Sequence, residues 1–95
     1  MKVYISDSAA SDLQDTIDYY KSQQVPHIGT KFVGDIIKYI ETLPENPDKG
    51  RKVPEFNQDN IRELIYAPFR IVYLREKITI HIIRVWRSER LLVLP

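Results

Sequence analysis

Arginine is the residue type in this sequence best suited to chemistry on charged groups. A guanidinium fork matches both phosphate and carboxylate, so arginines alone do not separate nucleic acid from an acidic protein surface. A tryptophan beside them can stack on a nucleobase or anchor a protein partner. The residues concerned are Arg51, Lys52, Arg62, Arg70, Arg84, Trp86, Arg87 and Arg90.

Two further side chains are candidates for proton transfer. Glu63 has the chemistry of a general base and His81 that of an acid. The simpler interpretation favours a structural role for both, because ion pairs are common partners of strand carboxylates and His81 lies between two isoleucines. We therefore expect Glu63 to pair with Arg62, Arg70 or Arg84. His27, beside Pro26, fits a helix start.

Charge and composition exclude several classes of protein. Residues 1–48 carry four Lys/Arg and eight Asp/Glu, a balance of −4, whereas residues 49–95 carry ten and five, a balance of +5. This asymmetry predicts a basic surface on the second half. Without cysteine, and with two distant histidines, the chain offers no metal-ligand spacing, and we expect no cofactor. No apolar run reaches the roughly 18–20 residues of a membrane span, which predicts a cytoplasmic protein.

A helical hairpin is predicted for the first half of the chain. Residues 2–6 alternate as a short strand, and Asp7 or Ser8 is a suitable N-cap for the helix that follows. Apolar residues recur at helical spacing to about Gln23. A second apolar stripe predicts a helix from about Pro26 or His27 to Leu43.

Strands are predicted for the second half. Breakers between Pro44 and Asn60 indicate a long irregular loop. Three β-rich segments follow, at 61–66, 69–75 and 78–86, and predict an antiparallel meander. With 95 residues forming one domain, the expected fold is α+β: an N-terminal strand, a helical hairpin, then a three-stranded antiparallel meander, in an antiparallel sheet of four strands.

Motifs spread over nearly the whole chain resemble the RelE/ParE superfamily of toxins from bacterial type II toxin-antitoxin modules. Their order and spacing carry the resemblance. The motifs are Ala10-x-Asp12-Leu13, Ile17-x-x-Tyr20, Leu43-x-x-x-Pro47-x-x-Gly50-Arg51, Val53-Pro54-Glu55, Ile61-Arg62-Glu63-Leu64, Phe69-Arg70-Ile71-Val72-Tyr73 and Ile82-x-Arg84-Val85-Trp86-x-x-x-Arg90.

The resemblance implies a matching fold, a cognate antitoxin that wraps the toxin, and one of two activities. RelE-like members cut messenger RNA on the ribosome, whereas ParE-like members inhibit DNA gyrase by binding it. Arg70 matches a catalytic arginine of the RelE type. Ile61 and Glu63 occupy positions where that type has lysines, and Ser88 occupies the position of a second catalytic arginine. No tyrosine follows Tyr73 to match the catalytic tyrosine of the RelE ending.

The prediction is therefore a ParE-like gyrase inhibitor, without catalytic residues of its own, that causes growth inhibition and plasmid stabilization and is neutralised in a toxin-antitoxin hetero-oligomer. A RelE-type mRNA endonuclease using Arg70, with the ribosome as partner, is the alternative, and a non-toxic protein-binding module of the same fold is another. Membrane partners are not expected. The candidate target-binding residues are Arg62, Arg70, Trp86, Arg87 and Arg90, and the stretch 87–95 is the expected recognition segment.

Overall fold

The computed structural model describes residues 1–87 and contains two helices beside a mixed β-sheet. Within these residues the sheet has five strands in the order β1-β5-β4-β3-β2. This arrangement confirms the predicted α+β fold. In chain order the elements are β1 (Lys2–Ile5), α1 (Asp7–Ser22), α2 (Pro26–Ile40), β2 (Arg51–Lys52), β3 (Ile61–Tyr66), β4 (Phe69–Arg75) and β5 (Thr79–Arg87).

The start of α1 differs by one residue from the prediction. Ser6, rather than Asp7 or Ser8, is the N-cap, and its Oγ accepts a hydrogen bond of 3.1 Å from the Ala9 amide. The same hydroxyl donates to the carbonyl of Ile83 in β5. Ser6 is preferred because one side chain satisfies an amide of the first helical turn and also ties the helix to the sheet.

The end of α2 is earlier than predicted. The α-helix ends at Ile40, and residues 41–45 form turns, although Leu43 is fully buried as the apolar stripe required. Pro44 disfavours helical backbone at Leu43, and its ring would clash with the carbonyl of Ile40. The chain therefore closes with a tighter bond, from the Leu43 amide to the Ile40 carbonyl.

The predicted loop between the helices and the meander contains a short strand, and this changes the sheet. β2 pairs antiparallel with β3, while β1 runs parallel to β5. The expectation of four strands in an all-antiparallel sheet was therefore wrong, although β3, β4 and β5 form the predicted antiparallel meander. In this sheet β1, β5 and β3 run in one direction, and β4 and β2 run in the other.

One face of the sheet is covered by the helical hairpin, and the core lies between them. Gly29 lets α2 approach α1, since a Cβ there would lie 3.1 Å from the Tyr20 Cβ. Apolar residues at alternate strand positions face the helices. The buried cluster comprises Ala9, Leu13, Ile36, Ile40, Leu43, Leu64, Phe69, Ile71, Tyr73, Ile80, Ile82 and Val85.

Gly50 is required by a close approach between the loop before β2 and the sheet. A Cβ at this position would lie 2.6 Å from the Glu63 carbonyl oxygen and 2.7 Å from two atoms of Tyr73. We predict that Gly50→Ala lowers the free energy of unfolding by about 1–3 kcal/mol, the usual cost of overpacking. Gly34 is the matched control, because nothing lies within 4 Å of its added Cβ. Gly34→Ala should be neutral or stabilise α2 by about 0.5–1 kcal/mol in the same urea titrations; equal losses for both variants would contradict this account.

Candidate functional site

The face of the sheet opposite the helices holds the residues that sequence patterns marked for chemistry. In β4, Phe69 and Ile71 face the core, so Arg70 between them projects to the other side. The strand register places Arg70 beside Ile65 of β3 and Trp86 of β5. Arg70 and Trp86 are therefore neighbours on this face.

Four charged side chains on this face form what we call the ion-pair cluster: Arg51, Glu55, Glu63 and Arg70. Arg70 donates from Nη1 and Nη2 to the two oxygens of Glu55, at 2.7 and 2.9 Å, and from Nε to Glu63. The second oxygen of Glu63 accepts a 2.7 Å hydrogen bond from Arg51 Nε. Two positive and two negative groups make the cluster neutral overall.

Burial makes the cluster strongly dependent on these pairings. The Glu63 side chain is fully buried and that of Arg70 is 9% exposed. The Arg70 guanidinium lowers the pKa of Glu55 to about 2, chiefly through its hydrogen bonds. Hydrogen bonds from Arg70 to Glu55 in turn raise the pKa of Arg70 above its usual value, against the opposing effect of burial. Both partners are therefore charged throughout the physiological pH range.

The lowered pKa of Glu55 predicts an acid-dependent loss of stability. Because its folded pKa of about 2 lies below the ordinary value of 4.5, the stabilising contribution is present above pH 4.5 and is lost as the pH falls towards 2. Glu55→Gln should show a smaller decrease in urea midpoint between pH 7 and pH 3 than the wild type. An unchanged pH dependence in this variant would show that other carboxylates carry the acid sensitivity.

Arg62 does not join this cluster. Its Nη1 donates a 2.8 Å hydrogen bond to the Gly50 carbonyl, and its buried Nε lies 3.7 Å from an oxygen of Asp48. Tyr73 holds the same loop from the core, since its hydroxyl accepts from the Gly50 amide and donates to the Pro47 carbonyl. Arg62 and Tyr73 thus hold the loop before β2 against the sheet.

Arg87 lies on the helix side of β5, on the face opposite to that of Trp86. Its guanidinium donates a 2.8 Å hydrogen bond to the Tyr20 hydroxyl and lies 5.6 Å from the centre of the Phe69 ring. It also lines a cavity of about 300 Å³ with residues of α1. The structure therefore separates Arg87 from Trp86, although they are adjacent in sequence. Arg90 and most of the stretch 87–95 lie outside the described residues.

The histidines occupy positions that fit their predicted structural roles. His81 stacks on Tyr4 of the neighbouring strand at 5.3 Å between ring centres, and its Nε2 lies 3.5 Å from Glu76. His27 is exposed in the first turn of α2. Within residues 1–87 no group of three or more His, Asp or Glu side chains is placed to hold a metal ion. None of the helices in this part is long and apolar enough to span a membrane.

Comparison with known proteins identifies the family. Residues 3–92 match the family described as ParE toxin of type II toxin-antitoxin system, parDE. The chain belongs to the ParE toxin family. It is therefore the toxin component of a type II toxin-antitoxin module, and its partner is a cognate antitoxin.

A solved structure agrees with the family assignment in both sequence and fold. The chain is similar to one from the chromosomal ParDE TA system of P. aeruginosa, at 26% identity and a TM-score of 0.77. The similarity covers 92% of this chain and 95% of the other. No curated protein sequence matches the chain significantly. The ParE assignment confirms the expected superfamily and the ParE type within it.

Asp12 has a role in this ParE chain that the sequence did not predict. Its carboxylate accepts two hydrogen bonds of 2.8 Å from the Arg84 guanidinium and a third from the Val85 amide. β1 ends at Ile5, opposite Ile82, so within residues 1–87 no strand lies beside the outer edge of β5 beyond that point. Asp12 satisfies an edge amide there, in place of a neighbouring strand.

The other missed partners also come from motifs that had carried the resemblance. Glu63 pairs with Arg70, which was one of the three predicted partners. Its second partner is Arg51, which was not predicted. Arg84, another predicted partner, pairs with Asp12. Glu55 had no predicted partner. A usable signal existed, because the two charges of each of these pairs stand in different motifs. In this ParE chain, motifs distant in sequence therefore meet as ion pairs.

Proposed function

We propose that this toxin stops growth by binding DNA gyrase, without cutting a covalent bond. The observation that carries the proposal is the closed state of Arg70, whose guanidinium is held by two carboxylates and is almost completely buried. A ribonuclease needs cations directed at the charge that develops on phosphate, together with groups that transfer protons. A neutral ion-pair cluster supplies neither.

The neighbouring positions support the same proposal. Ile61 and Glu63, which align with lysines of the RelE type, lie on the same face of the sheet as Arg70. Glu63 places a buried negative charge there, and both its oxygens bind arginines. Removing a single oxyanion donor costs a hydrolytic enzyme roughly 10²- to 10³-fold in rate, so several such changes together argue against cleavage.

For target recognition we propose the end of β5 and the segment after it. Trp86, Arg87 and Arg90 are the proposed contacts, since tryptophan and arginine often dominate interface energies. Trp86 is half-buried and packs near the Arg84 guanidinium, at 5.0 Å from its ring. Arg62 and Arg70, the other candidates, are better explained as residues that hold the loop and the cluster in place. We also propose that residues 1–95 act as one domain in the cytoplasm and are neutralised in a toxin-antitoxin hetero-oligomer.

A paired assay tests the proposed target. The purified toxin is added to a DNA supercoiling reaction with gyrase and, separately, to a ribosome-programmed mRNA cleavage reaction. We expect loss of supercoiling and intact mRNA. Cleaved mRNA with unaffected supercoiling would reverse the proposal, and Arg70→Ala should then abolish the cuts. Growth that is unchanged when the toxin is produced without its antitoxin would instead indicate a non-toxic binding module.

Variants at the end of β5 test the proposed contacts. Trp86→Ala and the double variant Arg87→Ala/Arg90→Ala should each weaken gyrase inhibition by about tenfold or more, the effect of losing an interface residue worth over about 1.4 kcal/mol. Lys77→Ala is the matched control, because this exposed residue precedes β5 at its opposite end. Inhibition that survives both changes, in variants whose far-ultraviolet circular dichroism matches the wild type, would exclude these contacts.

A further inference from the structure

The Arg70 guanidinium is held as a preorganised fork. Glu63, on β3, fixes its Nε, and this leaves Nη1 and Nη2 side by side towards Glu55. Two parallel N–H donors of this kind bind the paired oxygens of a phosphate as well as those of a carboxylate. Because Glu63 is fully buried in the sheet, its contact with Nε constrains the fork from the side opposite to Glu55.

Glu55 differs from Glu63 in its exposure and in the element that carries it. Its side chain is 47% exposed and comes from a turn rather than from a strand. The backbone of this turn is anchored separately: Val53 is buried and its carbonyl accepts hydrogen bonds from the Phe56 and Asn57 amides. Rotation of the Glu55 side chain alone can therefore uncover the fork, while the turn and the strands stay in place.

Departure of Glu55 also changes the charge of the site. The ion-pair cluster is neutral with Glu55 in place, and Arg51, Arg70 and Glu63 sum to +1 without it. Arg51 is 61% exposed, so it lies at the surface beside the uncovered fork. A small oxyanion would then find a fixed bidentate donor and a second cation close by.

We propose that Arg70 is a closed oxyanion-binding site in which Glu55 acts as the intramolecular ligand, and that a phosphate-type oxyanion binds the fork when Glu55 is displaced. The site lies beside Trp86, one of the proposed gyrase contacts, and it involves binding only, with no bond made or broken. Its test measures phosphate binding at Arg70 without gyrase, so the result is independent of the supercoiling assay.

Titration of inorganic phosphate into Glu55→Ala, at constant ionic strength, tests the site directly. The readout is the nuclear magnetic resonance signal of the Arg70 Nε–H group, which reports on this guanidinium alone. We expect saturable binding to Glu55→Ala that is about tenfold tighter or more than to the wild type, as charge-assisted bidentate bonds imply. Glu55→Gln, which keeps a neutral acceptor of similar shape, should give a smaller gain and serves as the second variant should the alanine variant fold poorly.

Asp59→Ala is the matched control for charge. It removes one carboxylate from the same loop, that of the exposed Lys52–Asp59 pair, and leaves Glu55 on Arg70. Phosphate binding to this variant as tight as to Glu55→Ala, or an Arg70 signal that does not move in either Glu55 variant, would overturn the proposal. Acetate titrations distinguish the ligand: weaker binding than phosphate supports a phosphoryl site, and tighter binding would overturn that assignment in favour of carboxylates.

Discussion

Replacing Glu63 with alanine is expected to lower the free energy of unfolding by about 3–5 kcal/mol, the range found when one partner of a buried ion pair is removed. The Glu63 carboxylate is fully buried and accepts from both Arg51 and Arg70. Without it, Arg70 loses the bond to its Nε inside the sheet and keeps only Glu55. Small domains have about 5–15 kcal/mol of stability in total, so the variant should lie close to unfolding.

Urea titration of three variants separates burial from charge. Glu63→Gln preserves the shape and one acceptor, so its loss should be smaller, at about 1–3 kcal/mol. Arg51→Ala removes only the exposed partner of Glu63 and should cost about 1 kcal/mol or less. Similar losses for all three variants would mean that burial of Glu63 does not determine the energetics of the cluster.

Replacing Asp12 with alanine is expected to have the second-largest effect, a loss of about 2–4 kcal/mol. The change leaves the Arg84 guanidinium without its bidentate partner and removes the acceptor of the Val85 amide at the edge of β5. Hydrogen exchange of the Val85 amide gives a local measurement, because its protection should fall by more than that of amides in β4.

Asp15→Ala provides the control for Asp12. Asp15 is exposed on α1 and lines the same cavity near Arg87, yet its removal should change stability by no more than about 0.5 kcal/mol, as is usual at the surface. Asp12→Ala with unchanged protection of the Val85 amide would contradict the proposed role of Asp12. Loss of protection across the whole sheet would indicate global destabilisation instead.

Ion pairing accounts for the charged residues in the motifs without assigning them a catalytic role. Asp48 pairs with Arg62 and Arg75, and Asp12 with Arg84, so acidic groups of the first half neutralise basic groups of the second. The predicted basic surface is therefore less strongly charged than the counts by halves imply. Trp86, Arg87 and Arg90 are therefore stronger candidates for target recognition than the basic surface as a whole.

Most secondary structure of this toxin follows from local sequence patterns. The bounds of β3 and β4 agree with the prediction, because alternating β-branched and aromatic residues end at clear turn signals. The helical hairpin follows equally from apolar spacing and from Pro26 at the start of α2. Motif order was likewise sufficient to predict the family, since it reflects the chain as a whole.

Pairing between segments that are distant in sequence could be determined only from the folded chain. β2 has only two residues and no alternating pattern of its own, so its existence depends on β3 beside it. The parallel pairing of β1 with β5 likewise joins segments more than 70 residues apart. The partners of the arginines are equally non-local: Asp12 and Arg84 are 72 residues apart. Local periodicity reports which face of an element is apolar, whereas the choice among several possible carboxylates depends on distances and burial that arise only when the sheet and the loop come together. For that reason the sequence identified Arg70 as a residue able to bind an anion, and the three-dimensional structure showed that Glu55 and Glu63 already occupy it.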